Sequence, residues 1–310
     1  MATLVNFQGL WYATSIAEAF YGTGSLDVVS YAKAPSSATV GDYDVGVTVD
    51  LANTLLNTGW AYGDKFYFGS VERIVGSQHT DFLYGDALAN FFDGGGSPDF
   101  IYGRDGTDTL LGSGGFDFLY GGNGNDVING QQQTDTLYGE AGDDRLEGGS
   151  NYINHYYPGT NYADVLYGGS GNDQLHGDVL RPASGVKTEY NAALDLNAGS
   201  DELHGGVGAD ILNGDGGNDK LWGDADPDRF VFDRPYTVLD ALGASFPITP
   251  GDDLVMDFRP SEGDRLSFSG QTYSVVDTAN GIVITLGSIS APAGHVTLYQ
   301  VHTFSSAWVV

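Results

Sequence analysis

Cysteine is absent from the 310 residues, so neither disulfides nor thiolate metal sites can hold this chain together, and the redox compartment stays open. Basic residues are scarce: 12 Lys and Arg stand against 41 Asp and Glu, a formal net charge of -29. That balance excludes the phosphate neutralisation on which nucleic-acid affinity rests, and it disfavours anionic membrane surfaces by the same sign. No apolar run approaches the roughly 20 residues of a membrane-spanning helix. The first basic residue is Lys33, so the amino terminus lacks the positive region of a secretory signal peptide, and an export address is expected elsewhere in the chain. Catalytic signatures are missing too. There is no His-Glu-x-x-His and no Gly-x-Ser-x-Gly, and His79, His155, His176, His204, His295 and His302 show no metal-ligand spacing. A non-enzymatic protein is expected.

Glycine is what the chain has in excess, at 47 residues, with only 41% hydrophobic residues to build a core. Charge repulsion along such a chain opposes collapse unless cations neutralise it. The acidic residues are ordered rather than scattered. Asp81, Asp99, Asp108, Asp117, Asp126, Asp135 and Asp144 follow a nine-residue period, with Asn90 in the remaining slot. Two residues after each stands a large apolar residue (Leu83, Phe92, Ile101, Leu110, Leu119, Ile128, Leu137, Leu146), and four residues after each stands Gly, from Gly85 to Gly148. Beyond an insertion near 151–163 the register resumes at Asp164 and Asp173. Beyond a second, near 179–200, it resumes at Asp201, Asp210, Asp219 and Asp228.

A period of nine is not helical. Each unit reads as a short strand, with one residue pointing inward and its neighbours outward, followed by a turn whose backbone needs Gly. Two units make a coil of 18 residues, and stacked coils about 4.8 Å apart line the turns up along both edges of a flattened solenoid. Turn carbonyls and Asp carboxylates then face one another. An oxygen-only cage of this kind suits Ca2+, which takes about 6 to 8 such ligands with tolerant geometry, better than Mg2+ with its strict octahedron.

Gly121-Gly122-Asn123-Gly124-Asn125-Asp126-Val127-Ile128-Asn129 matches G-G-x-G-x-D-x-U-x, and on this motif the chain resembles the RTX (repeat-in-toxin, hemolysin-type) calcium-binding β-roll family. The resemblance implies an all-β, parallel β-roll that binds several Ca2+ ions. In that family each Asp completes a site with backbone oxygens of its own turn and of the turn 18 residues away. Carried over, the candidate ligands are Asp108, Asp126 and Asp144 on one edge and Asp99, Asp117 and Asp135 on the other, with Gly103, Asp105, Gly121 and Asn123 contributing from the turns. Asp164, Asp173, Asp201, Asp210 and Asp219 continue the set. The edges differ at the fourth motif position. The first has Gly106, Gly124 and Gly142, whereas the second has Ser97, Gly115 and Gln133, with His79 one coil earlier. Calcium is therefore expected to favour the first edge, with some sites of the second weak or empty. Asp228, preceded by Asp226 at that position, is not counted as a site.

Residues 1–80 read as degenerate opening coils and an N-terminal cap, and 81–232 as the regular roll. Residues 233–310 resemble the C-terminal capping region of secreted RTX proteins, which carries an uncleaved type I secretion signal; Asp252 to Phe258 and Gly263 to Phe268 bear that likeness. The tail Ala307-Trp308-Val309-Val310 fits that signal or an ordinary last strand. Export before folding follows physically, because the acidic repeats stay disordered where Ca2+ is scarce and gain folding free energy where it is abundant.

One outer face is unusual. Alternate strands place Phe82 and Tyr84, Phe100 and Tyr102, Phe118 and Tyr120, then Thr136 and Tyr138 at like positions, so an 18-residue step sets ring on ring, with Tyr167 next in the row. The other sheet offers Thr109, Leu111, Val127, Asn129, Arg145 and Glu147, an ordinary solvated face. The aromatic rows serve either as sheet-stabilising cross-strand stacks or as a docking platform for another copy or a cell-surface glycan. The expectation is an extracellular or cell-surface structural or adhesive protein, a surface-layer, filament or matrix subunit that folds and self-associates on binding Ca2+. The alternative is a glycan-binding accessory module of a polysaccharide-modifying system.

Overall fold

The computed structural model describes residues 10–12, 19–20, 28–31, 46–52, 58–59, 65–66, 73–149, 163–178, 199–232, 236–239, 245–248, 251–288 and 291–310. The bodies of both insertions, 151–162 and 179–198, and residues 61–64 of the degenerate coils lie outside these ranges. Among the described residues the regular structure is β-strand, apart from one turn of 3-10 helix at Ser306–Trp308. The chain forms two compact units, Met1–Ala141 and Gly142–Val310.

In the first unit two sheets of mainly parallel strands carry the repeat. One orders Leu10–Tyr12, Val28–Ser30, Arg73–Val75, Phe91–Gly96, Thr109–Gly114 and Val127–Gln132. The other orders Thr58–Gly59, Val47–Asp50, Phe82–Tyr84, Phe100–Asp105, Phe118–Asn123 and Thr136–Ala141, its first pair antiparallel. The register is the 18-residue coil: Ile101 stands opposite Leu119, and Leu110 opposite Ile128. Strand alternation then does the sorting. Leu83, Phe92, Ile101, Leu110, Leu119, Ile128 and Leu137 are fully buried, while the residues on either side of each face outward. One such side chain per repeat, worth about 1.5–3 kcal/mol, is a thin core.

The second unit is built alike. Arg145–Gly149, Gln174–Asp178, Ile211–Asn213, Arg229–Val231 and Arg265–Ser267 form one parallel sheet; Val165–Ser170, Glu202–Val207, Lys220–Ala225 and Gly251–Val255 begin the other. Both insertions are spliced out of the register, since Leu146 pairs with Leu175 and Leu166 with Leu203. Ala291–Tyr299 joins the second sheet parallel to Gly251–Val255, and Gly281–Ser288 and Tyr273–Thr278 follow it antiparallel. Phe258, Phe268, Tyr273, Phe304 and Trp308 pack as a chain of tilted and edge-on rings, with centroids 5.1–5.9 Å apart. Beside it Val309 bridges Leu266, and the Val310 amide donates to the Leu266 carbonyl at 2.9 Å.

Candidate metal centres in the turns

Every repeat Asp points into the roll, not out of it. Asp99, Asp108, Asp117, Asp126, Asp135, Asp144, Asp164, Asp173, Asp201, Asp210 and Asp219 are all at most 2% exposed. Their Oδ1 atoms form a ladder parallel to the sheets. In the first unit the amides of Asp81, Asn90, Asp99, Asp108 and Asp117 donate to Asp99, Asp108, Asp117, Asp126 and Asp135 at 2.7–2.8 Å. In the second, the amides of Asp144, Asp164, Asp173, Asp201 and Asp210 donate to Asp173, Asp201, Asp210, Asp219 and Asp228 at 2.7–3.0 Å.

The other oxygen is different. The Oδ2 atoms of Asp99, Asp108, Asp117, Asp173, Asp201, Asp210 and Asp219 are buried without a hydrogen-bond partner. A carboxylate oxygen in that condition is costly, and burial accordingly drives these groups toward the protonated form. Asp108, Asp117, Asp173 and Asp201 are raised to about 7, Asp210 to about 6 and Asp99 to about 9. Asp219, with Asp253 and Asp201 adding repulsion to burial, reaches about 11.

Carbonyl oxygens complete the donor set. The carbonyls of Arg104 and Gly106 aim at Gly122 and Gly124, 18 residues on, where the absence of a side chain makes room. A Cβ on Gly122 would overlap the Arg104 carbonyl oxygen, and one on Gly124 the Gly106 carbonyl oxygen. Among the described residues no three His, Asp or Glu side chains converge on one point, so a cage here has to combine Asp with backbone oxygen. Such hard donors fit Ca2+: the carboxylates would hold the ion with turn carbonyls, and the ion would supply the counter-charge that the buried oxygens lack. Gly103 and Gly121 are buried in this array. The Asp105 and Asn123 side chains lie at the surface, where Asn123 Nδ2 donates to Asp105 Oδ1 at 2.7 Å, and the Asn123 carbonyl accepts from the Gly106 amide at 2.9 Å.

The fourth motif position differs from turn to turn, and Gly115 of the second edge, at φ 155°, goes with the glycines of the first. Gly106, Gly124 and Gly142 hold φ of 138°, 131° and 143°, a region that side chains rarely enter, whereas Ser97 and Gln133 hold 73° and 77°. Asp226, at the fourth motif position two residues before Asp228, sits at 80° like them. Two ladder members escape the nine-residue count. Asp253 accepts from the Asp219 amide and Asp264 from the Asp228 amide, each at 3.1 Å. Their signal was the motif's tail alone, an Asp with a buried apolar residue two positions on, Val255 and Leu266.

The expected aromatic rows are present. Phe82, Phe100 and Phe118 stack at 4.9 and 5.2 Å, and Tyr84, Tyr102, Tyr120 and Tyr138 at 4.7–4.9 Å, all within 6° of coplanar. In the second unit Tyr167, His204 and Trp222 stack at 4.9 and 4.4 Å.

Comparison with known proteins agrees with this geometry. The RTX calcium-binding nonapeptide repeat matches in four copies, at residues 84–119, 120–151, 158–179 and 195–230. No curated protein matches the chain. Among solved structures seven chains match. One is the extracellular lipase LipA from Serratia marcescens, 19% identical over 74% of this chain, with a TM-score of 0.22. This chain spans 40% of that one's length. Residues 84–230 thus carry RTX calcium-binding nonapeptide repeats, and the strands of these repeats lie in paired parallel sheets of a β-roll.

Proposed function

We propose that this is a secreted protein whose Asp99, Asp108, Asp117, Asp126, Asp135, Asp144, Asp164, Asp173, Asp201, Asp210 and Asp219 hold several Ca2+ ions with their turn carbonyls, and that the folded roll associates with copies of itself. It acts as a structural or adhesive subunit outside the cell, in a surface layer, filament or matrix. No catalytic role is proposed. Residues 1–80 open the roll and 233–310 cap it; the engaged tail at Trp308 to Val310 serves as a type I export signal only while the chain is unfolded.

Calcium prefers turns with Gly at the fourth position. Ser97→Gly is therefore expected to tighten calcium binding several-fold on the second edge, read from the weakest phase of a calorimetric Ca2+ titration. An unchanged titration would contradict the ranking of the edges.

The observation that carries the self-association is the aromatic face. Over four coils the two positions flanking each buried residue hold three Phe, four Tyr and Thr136, bordered by Arg104 and Glu140, in a chain of net charge -29. Phe82 is 37% exposed and the other rings are half-buried. The rings repeat every 4.7–5.2 Å, which is the strand spacing of another sheet, so two such faces can interleave in register as identical stacked side chains do elsewhere. The same stacking weighs against the glycan reading, because each inner ring's faces are covered by its neighbours and only edges and hydroxyls remain for a sugar. Light scattering in millimolar Ca2+ tests this. Growth beyond the monomer is expected for the wild type and a stable monomer for Tyr102→Ala with Tyr120→Ala. A wild type that stays monomeric would overturn the self-association.

A further inference from the structure

One coil departs from the pattern just described. On the first edge, the turn Gly85 to Asn90 has Asp86 and Leu88 where later turns have Gly or a left-handed residue, and neither takes the positive φ that Arg104 (78°) and Gly106 (138°) take one coil on. Its sixth position is Asn90, not Asp. That carboxamide is satisfied within the turn: Oδ1 accepts from the Asp86 amide at 3.0 Å, and Nδ2 donates to Asp86 Oδ1 at 3.4 Å. Asp86 Oδ1 also accepts from the Leu88 amide at 2.8 Å. The oxygen that lies against Gly85 as Asp108 Oδ2 lies against Gly103 is thus an uncharged carboxamide oxygen already bonded within its own turn, and the other atom of the group, Nδ2, is a donor that cannot ligate a cation.

A positive charge is nevertheless present. Arg104 reaches back across this turn, donating from Nη1 to the Gly85 carbonyl at 2.5 Å and to Asp50 Oδ1 at 2.8 Å, and from Nη2 to Asp50 Oδ2 at 2.9 Å. Asp50 is 2% exposed, and the guanidinium lies 5.4 Å from the centre of the Tyr84 ring. A bidentate pair of this kind, partly shielded from water, is the strong form of the interaction. It ties strand Val47–Asp50, the Gly85 turn and the Gly103 turn together. The opposite edge of the same coil is closed as well. Asp81 accepts at Oδ1 from the Val47 amide (2.5 Å) and Ser77 Oγ (3.0 Å), and at Oδ2 from the Ser77 amide (2.5 Å). Asp99, Asp108 and Asp117, farther along, leave Oδ2 without a hydrogen bond.

We propose that the coil carrying Asp81 and Asn90 is a calcium-free first coil, in which Arg104, Asn90 and Ser77 supply the charge and hydrogen bonds that a bound ion supplies to the later turns. Calcium then begins on the first edge beyond Asn90, and the roll has a seam at which metal-independent coils meet metal-dependent ones.

Anomalous diffraction from crystals of the full chain grown in Ca2+ reads this directly. Peaks are expected between the Asp108 and Asp126 turns, with none against the Gly85 to Asn90 turn or Asp81; a peak at either place overturns the proposal. A second measurement does not need crystals. Asp50→Asn, which breaks the charge pair with Arg104, is expected to keep the wild-type number of bound Ca2+ ions, counted by atomic emission after gel filtration. It should melt a few degrees lower at saturating Ca2+, a deficit that more calcium does not repair. Loss of one ion per chain in this variant, or an unchanged melting temperature, would overturn it.

Discussion

With calcium chelated at pH 8, the chain is expected to lose most of its far-ultraviolet β signal, and to regain much of it as the pH is lowered toward 5 with chelator still present. The sign follows from the buried carboxylates. Without a cation, burial raises Asp108, Asp117, Asp173 and Asp201 to about 7, Asp228 to about 8 and Asp99 to about 9, from the ordinary 3.8. A group whose folded value is raised binds its proton more tightly in the folded state, so its contribution is complete below about 4 and disappears as the pH climbs through the folded values. The metal-free roll is thus an acid-stable form that fails between about pH 6 and 9. Calcium reverses the slope, because ion and proton compete for the same oxygens. In millimolar Ca2+ the fold should persist at pH 8, and its apparent calcium affinity should fall as the pH drops through 7. Circular dichroism against pH, with and without Ca2+, checks both slopes; a metal-free form more ordered at pH 8 than at pH 5 would contradict them.

Gly124→Ala is expected to destabilise the calcium form by about 3 kcal/mol or more, and to weaken binding at the Asp108 and Asp126 turns together. The backbone at Gly124 holds φ of 131°, where an L side chain is strained, and a Cβ there would overlap the Gly106 carbonyl oxygen aimed at the same turn. One methyl therefore both strains a turn and displaces a candidate ligand of the turn before it. Ser97→Ala is the matched control. That residue is exposed, already carries a side chain at φ 73°, and gives up one surface hydrogen bond to the Gln78 carbonyl, so its effect should stay within about 1 kcal/mol. Equal losses in the two variants, measured by chemical denaturation in Ca2+, would refute this reading of the fourth position.

Much of this was legible in the sequence because a solenoid is local. The inward position of Leu110 or Ile128, the pairing of Tyr102 with Tyr120, and the contrast of Gly106 with Ser97 all follow from counting nine and eighteen. The two insertions did not hide the register, because a strand pairs with whichever strand of its own kind comes next, as Leu166 does with Leu203. What counting does not supply is anything set by side-chain reach. The Oδ1 ladder depends on how an inward Asp rotates against the coil before it. The Arg104 to Asp50 pair spans 54 residues into coils whose spacing is irregular, and Asp253 stands 34 residues after the ladder partner it serves. The ring stacking was legible as proximity, but that the ring faces are thereby withdrawn from a sugar follows only from the near-zero angles between planes.

Amide hydrogen exchange across residues 84–230 at pH 7.5, in chelator and then in millimolar Ca2+, tests the central claim that calcium in the turns holds this roll together. The predicted result is slow exchange at the strand amides of each repeat in Ca2+ and near-complete exchange within seconds to minutes without it. Equal protection in both conditions would mean that the thin line of Leu, Ile and Phe suffices on its own, and would contradict the account.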